Sequence, residues 1–219
     1  MNIRFLIFSL LIYCNIYSQN LENENPISVM LMNCYERSGM DETKIDFSDY
    51  FAVYEKEKYN LTNFNIKKYN SDSSIQPKFI IKGLNSIKDS TIGRWINRKM
   101  YPGETIMFSV PNSENEEKSR GYSIYTKGKL IETKNNELRV ACGKTNKSIV
   151  KMDIPSFSSG GFEGGIYLYW IGDLNGDNRL DMLVGTSTHL AGIGLSLFLS
   201  DKSDNQLFIE NKVGSCSSC

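Results

Sequence analysis

The chain has 219 residues, 40% of them hydrophobic and 23% charged, enough to bury a sizeable core in one moderately large domain or two small ones. With 25 basic and 25 acidic residues its formal net charge is zero. No whole-molecule field therefore favours nucleic acid or an anionic membrane surface, and no nucleic-acid partner is expected.

Residues 1–18, MNIRFLIFSLLIYCNIYS, place Arg4 before an apolar run from Phe5 to Ile12 and end on the small Ser18, the layout of a secretory signal peptide. The expected location is secreted or periplasmic. A lesser reading takes "LIYC" as a lipobox and Cys14 as a lipidated anchor, against which the bulky Tyr13 argues. No later window approaches about 18 unbroken apolar residues, so no transmembrane segment is expected.

Residues 19–26 form a polar, Asn/Glu-rich leader, and residues 27–219 a single β-rich domain. Within it ISVMLMNCY, 27–35, reads as a first buried strand. Residues 46–57, DFSDYFAVYEKE, put Phe47, Tyr50, Phe51 and Tyr54 at helical spacing, with acidic residues early and Lys56 late. This spacing predicts one short amphipathic helix. Residues 60–77 are Asn/Ser/Lys-rich and read as loop. Strand signals then dominate: KFIIKGL, ETIMFSV after the Pro102-Gly103 turn, a hairpin GYSIYTKGKLIET around Lys127-Gly128, and ELRVACG leading into SIVKMDI. Residues 112–120, NSENEEKSR, are a charged, solvated loop. The Gly-rich piece SFSSGGFEGG, 156–165, could mark a sub-boundary, although the residues after it would make a marginal core alone. Further on, GIYLYWIG is a strand in which period two sets Tyr167 and Tyr169 on one face and Leu168 and Trp170 on the other, with both faces expected to be covered. The expected fold is mainly β, an antiparallel sandwich or barrel-like body with one short helix and a loop hairpin near the C-terminus.

That hairpin carries the strongest chemical signal. IGDLNGDNRLDML, 171–183, crowds three carboxylates and a carboxamide into nine residues between two apolar strands. Counting from Asp173, side-chain oxygens fall at positions 1, 3 and 5 (Asp173, Asn175, Asp177), a backbone carbonyl at 7 (Arg179) and a carboxylate at 9 (Asp181). A hard cation with six to eight oxygen ligands takes this alternation, and Ca²⁺ is the expected cofactor. Position 12 is Val184, so the bidentate glutamate of an EF-hand is missing. Position 6 is Asn178, the non-Gly residue best suited to a positive φ.

The stretch WIGDLNGDNRLDMLVGTS resembles the calcium loops of FG-GAP and VCBS repeats and, in the loop alone, those of dockerins. The resemblance includes the aromatic-apolar strand before the first Asp and the apolar triplet and Gly after the last. It implies a calcium-stabilised hairpin. Those families usually have Gly where this chain has Asn178, a departure expected to weaken the site. Only one copy of the motif is present, so a propeller built from repeats is not implied. The C-terminal region also looks like small exported bacterial proteins that carry one such loop.

With Cys14 removed, Cys34, Cys142, Cys216 and Cys219 remain, an even number for an oxidising compartment, and disulfides are expected. The preferred pairing joins Cys216 or Cys219 to Cys142 or Cys34. The terminal CSSC lacks the following helix that a redox CxxC requires. The single histidine, His189, lies after GTST without any nucleophile signature. The function expected is thus a secreted, calcium-stabilised binding or structural module for an extracellular protein or glycan. The alternatives are an extracytoplasmic hydrolase using His189 with a nearby Ser or carboxylate, and a lipid-anchored interaction protein.

Overall fold

The computed structural model describes residues 27–32, 46–56, 63–71, 73–84, 87, 89–111, 119–128, 136–152, 164–187, 192–200 and 207–216. The expected signal peptide, the leader, Cys14, Cys34, Cys219, His189 and most of the Gly-rich segment lie outside them. Thirteen strands run through the described residues: β1 (Ser28–Leu31), β2 (Phe51–Lys56), β3 (Asn63–Lys68), β4 (Phe79–Lys82), β5 (Ser90–Met100), β6 (Thr105–Val110), β7 (Arg120–Lys127), β8 (Asn136–Cys142), β9 (Thr145–Met152), β10 (Gly165–Gly172), β11 (Asp181–Ser187), β12 (Ile193–Ser200) and β13 (Phe208–Cys216). Among these residues no helix is long and apolar enough to cross a membrane.

The strands form two sheets whose pairings are antiparallel. One has nine strands in the order β1-β4-β2-β3-β5-β10-β11-β12-β13, the other four in the order β6-β7-β8-β9. The large sheet curls until its outer strands, β1 and β13, lie side by side, giving a nearly closed, barrel-like body. Gly214 permits that seam, because a Cβ there would sit 2.7 Å from the Val29 carbonyl oxygen.

Side chains from around the ring fill its interior: Val29 and Leu31, Val53, Phe64, Phe79 and Ile81, Trp170, Leu183, Leu195 and Leu197, and Val213. A second core lies between the outer face of β10 to β12 and the four-stranded sheet. There Ile166, Leu168, Met182 and Val184 meet Ile106, Ile124, Leu138 and Val140. Strands on both sides of the Gly-rich segment thus share one core. Fully burying side chains of this size contributes about 1.5–3 kcal/mol each, so the two cores dominate the stabilising terms.

The short helix expected over residues 46–57 is not formed; the segment is a turn followed by β2. Asp46 caps the turn by accepting the Ser48 N–H at 2.9 Å. The aromatic spacing misleads because both faces of the strand are apolar: Tyr50, Ala52 and Tyr54 pack with Ile80 on the outside of the sheet, while Phe51 and Val53 face the barrel interior. Residues 60–77 likewise contain β3 as well as loop, with Phe64 and Ile66 alternating into the core. β5, eleven residues long, and β13, which runs into the Cys-bearing tail, complete the sheet.

β10 departs from simple alternation. Its register with both neighbours shifts between Leu168 and Trp170, a β-bulge at Tyr169. Beyond the bulge the faces exchange, so Tyr167, Tyr169 and Trp170 all point into the barrel and Leu168 and Ile171 point to the inter-sheet core. The predicted pairing of Trp170 with Leu168 is corrected accordingly, whereas the expectation that both faces are covered holds.

Candidate metal-binding loop

The acidic loop leaves the sheet where β10 crosses β5. Gly172 pairs with Gly93, and neither position has room for a side chain. A Cβ on Gly172 would lie 2.4 Å from the Trp170 ring and 2.6 Å from the Ile92 carbonyl oxygen. The loop then stays joined to the end of β5, the Asp173 N–H donating to the Ile92 carbonyl at 3.2 Å and the Thr91 hydroxyl to the Asp173 carbonyl.

Two leucines fix the loop at its ends. Leu174 enters the barrel interior and Leu180 the inter-sheet core, both fully buried. Between them the chain turns back through positive φ at Gly176 (76°) and Asn178 (62°). The conformation expected of Asn178 is therefore present.

The polar side chains of the turn face inward onto its own backbone. The Asp177 N–H donates both to Asp173 Oδ1 at 2.9 Å and to Asn175 Oδ1 at 3.0 Å. Asp173 Oδ2 accepts the Asn178 N–H at 3.0 Å, and Asp177 Oδ1 the Arg179 N–H at 2.9 Å. Oxygens from positions 1 and 3 thereby meet at one backbone N–H. Such bonds satisfy loop N–H groups that have no partner in either sheet.

Asp181 is placed differently. It is fully buried at the start of β11, where Oδ2 accepts the N–H groups of Leu174 at 2.7 Å and Asn175 at 3.2 Å, and Oδ1 that of Ser200 at 2.8 Å. Burial pushes its carboxyl up to about 7, the nearby Asp177 carboxylate acting in the same direction and the three N–H donors against it. Three acceptor positions are used out of about four that a carboxylate offers.

Partners from distant strands hold the turn. The Ser200 hydroxyl, at the end of β12, donates to Asp177 Oδ2 at 2.7 Å, and the Tyr122 hydroxyl on β7 accepts the Leu180 N–H at 3.3 Å. Burial raises the Tyr122 hydroxyl above its ordinary value. Sequence reasoning missed Ser200, Tyr122 and Thr91, because each reaches the loop through strand pairing or sheet packing and none carries a local motif.

The chemistry of the turn, hard oxygens from carboxylate, carboxamide and carbonyl, fits Ca²⁺ by type. Among the described residues no group of three or more His, Cys, Asp and Glu side chains is arranged to hold a metal. Asp181 spends three acceptor positions on backbone N–H groups, and Asn175 brings a carboxamide in place of a carboxylate. Cys142, half-buried at the end of β8 against the inter-sheet core, has a free thiol. The other cysteines of the expected pairing, Cys34, Cys219 and the Cys216 side chain, lie outside the described residues. No protein-family model, curated protein or solved structure matches the chain.

Proposed function

We propose that the protein is a secreted binding or structural module whose hairpin loop 173–181 is stabilised by Ca²⁺. The observation that carries this reading is the convergence of Asp173 and Asn175 Oδ1 on the Asp177 N–H, within a turn whose φ values at Gly176 and Asn178 match the alternating loop. Asp173, Asn175, Asp177 and the Arg179 carbonyl would hold the ion, with Asp181 supplying its remaining acceptor capacity. The cation would offset repulsion between carboxylates confined to one turn, and its role is rigidity. Because the loop is joined to β5, β7 and β12, stiffening it stiffens the contact between the two sheets.

Thermal unfolding in about 5 mM calcium, in the same magnesium and in EDTA tests the reading. For an affinity of about 10⁻⁴ to 10⁻³ M, as in extracellular modules, mass action stabilises the fold by about 1–2.3 kcal/mol, a rise of roughly 2–9 °C. Calcium specificity, and loss of the rise in Asp177→Ala, are the expected outcome. A wild-type chain that melts identically in calcium and EDTA refutes it.

A further inference from the structure

The four-stranded sheet ends at β9, and among the described residues no strand pairs with its far side. As an edge strand, β9 has on that side no strand partner among the described residues for its main-chain groups. Beside that edge, over the outer face of β12 and β13, runs an open groove of about 420 Å³ lined by Ile149, Val150, Lys151, Leu195, Ser196 and Lys212 among others. Its size is that of a short extended segment.

The groove has a pattern of its own. A register shift in the β8–β9 pairing turns both Ile149 and Val150 toward the core side, where each is half-buried and forms an apolar wall. At Gly194 the groove is open, a Cβ there meeting nothing closer than 3.9 Å. The rim charge is mainly positive. Lys212 is exposed and has no ion pair among the described residues, and Lys151, 71% exposed, is only loosely paired with Glu137 at 3.5 Å. The one acidic lining residue, Glu210, has an oxygen held by the Ser196 hydroxyl at 2.8 Å.

We propose that this groove binds an extended peptide segment of a partner protein, added as a fifth strand beside β9, in which apolar side chains alternate with carboxylates. Main-chain bonds to the β9 edge supply affinity, and alternate side chains supply selection, the apolar ones against Ile149 and Val150 and the carboxylates toward Lys151 and Lys212. The inference does not depend on calcium in the loop.

The probe is a short capped peptide alternating valine and glutamate, titrated into the ¹⁵N-labelled full chain in calcium and followed by amide shifts. Shifts are expected across residues 145–152, with weaker binding at higher salt and about tenfold weaker binding when lysine replaces glutamate in the peptide or in the Lys212→Glu protein. Lys151→Glu gives a second variant, and thermal unfolding checks that both are folded. N-methylation of the peptide should abolish binding at alternate amides and be tolerated at those between, a signature that a merely electrostatic contact would not give. No binding at millimolar peptide overturns the proposal, as do shifts elsewhere, indifference to Lys212→Glu together with Lys151→Glu, or self-association through β9 in place of peptide binding.

Discussion

Ser200→Ala isolates the tie between the acidic loop and the end of β12. The substitution removes one hydroxyl and leaves the backbone N–H that donates to Asp181 in place. What is lost is the 2.7 Å bond from Ser200 Oγ to Asp177 Oδ2, a contact to a charged acceptor at a position only 9% exposed. Bonds of that kind contribute about 1.5–3 kcal/mol, and the void left by one oxygen adds little. For a chain of this length each kcal/mol lowers the midpoint by about 2–4 °C, so a fall of roughly 3–12 °C is expected in EDTA. Urea unfolding of wild type, Ser200→Ala, Asp177→Asn and the double variant gives the pair's coupling, which should exceed about 1 kcal/mol. A single-variant cost below about 0.5 kcal/mol with no coupling would refute the reasoning, since the loop would then be held by its leucines and by the Thr91, Tyr122 and Asp181 bonds without the Ser200 hydroxyl.

Other consequences concern the scaffold. Burial, helped by Tyr167, raises the Tyr169 hydroxyl to about 12 from 10.0. The folded chain therefore keeps a proton that the unfolded chain releases, and stability contributed below pH 10 is lost as pH rises toward 12, by about 3 kcal/mol. Urea unfolding across that window should show a flatter pH dependence in Tyr169→Phe than in wild type, and parallel curves would exclude this origin. Trp170→Ala, which empties a fully buried site in the barrel interior, should cost about 3–5 kcal/mol by the same assay. Gly172→Ala should cost about 1–3 kcal/mol, because its new Cβ must separate β10 from the Ile92 carbonyl or displace the Trp170 ring, and an unchanged urea midpoint would show that the crossing yields freely.

The β-rich class and the loop hairpin were legible in the sequence because both are written locally, as alternating apolar runs and as oxygens at fixed intervals. Even the positive φ of Asn178 could be read from its place in the count. Errors arose where tertiary packing reversed a local pattern. Phe47, Tyr50, Phe51 and Tyr54 mimic a helical stripe because the outside of the barrel at β2 is itself covered. Trp170 could not be assigned its face without the bulge at Tyr169, which only the pairing with β5 and β11 reveals. Asp181 reads in sequence as a ligand position alone; that it is buried and also accepts three backbone N–H groups, one of them from Ser200 on β12, depends on strand pairing.

The seam at Gly214 has a consequence for how the molecule assembles. β1 and β13, strands nearly two hundred residues apart, must meet before the ring can close. Until β13 lies against β1, the sheet is an open ribbon with two unpaired margins. Closure therefore waits on the longest-range contact of the sheet, and until it is made both margins can pair with another chain.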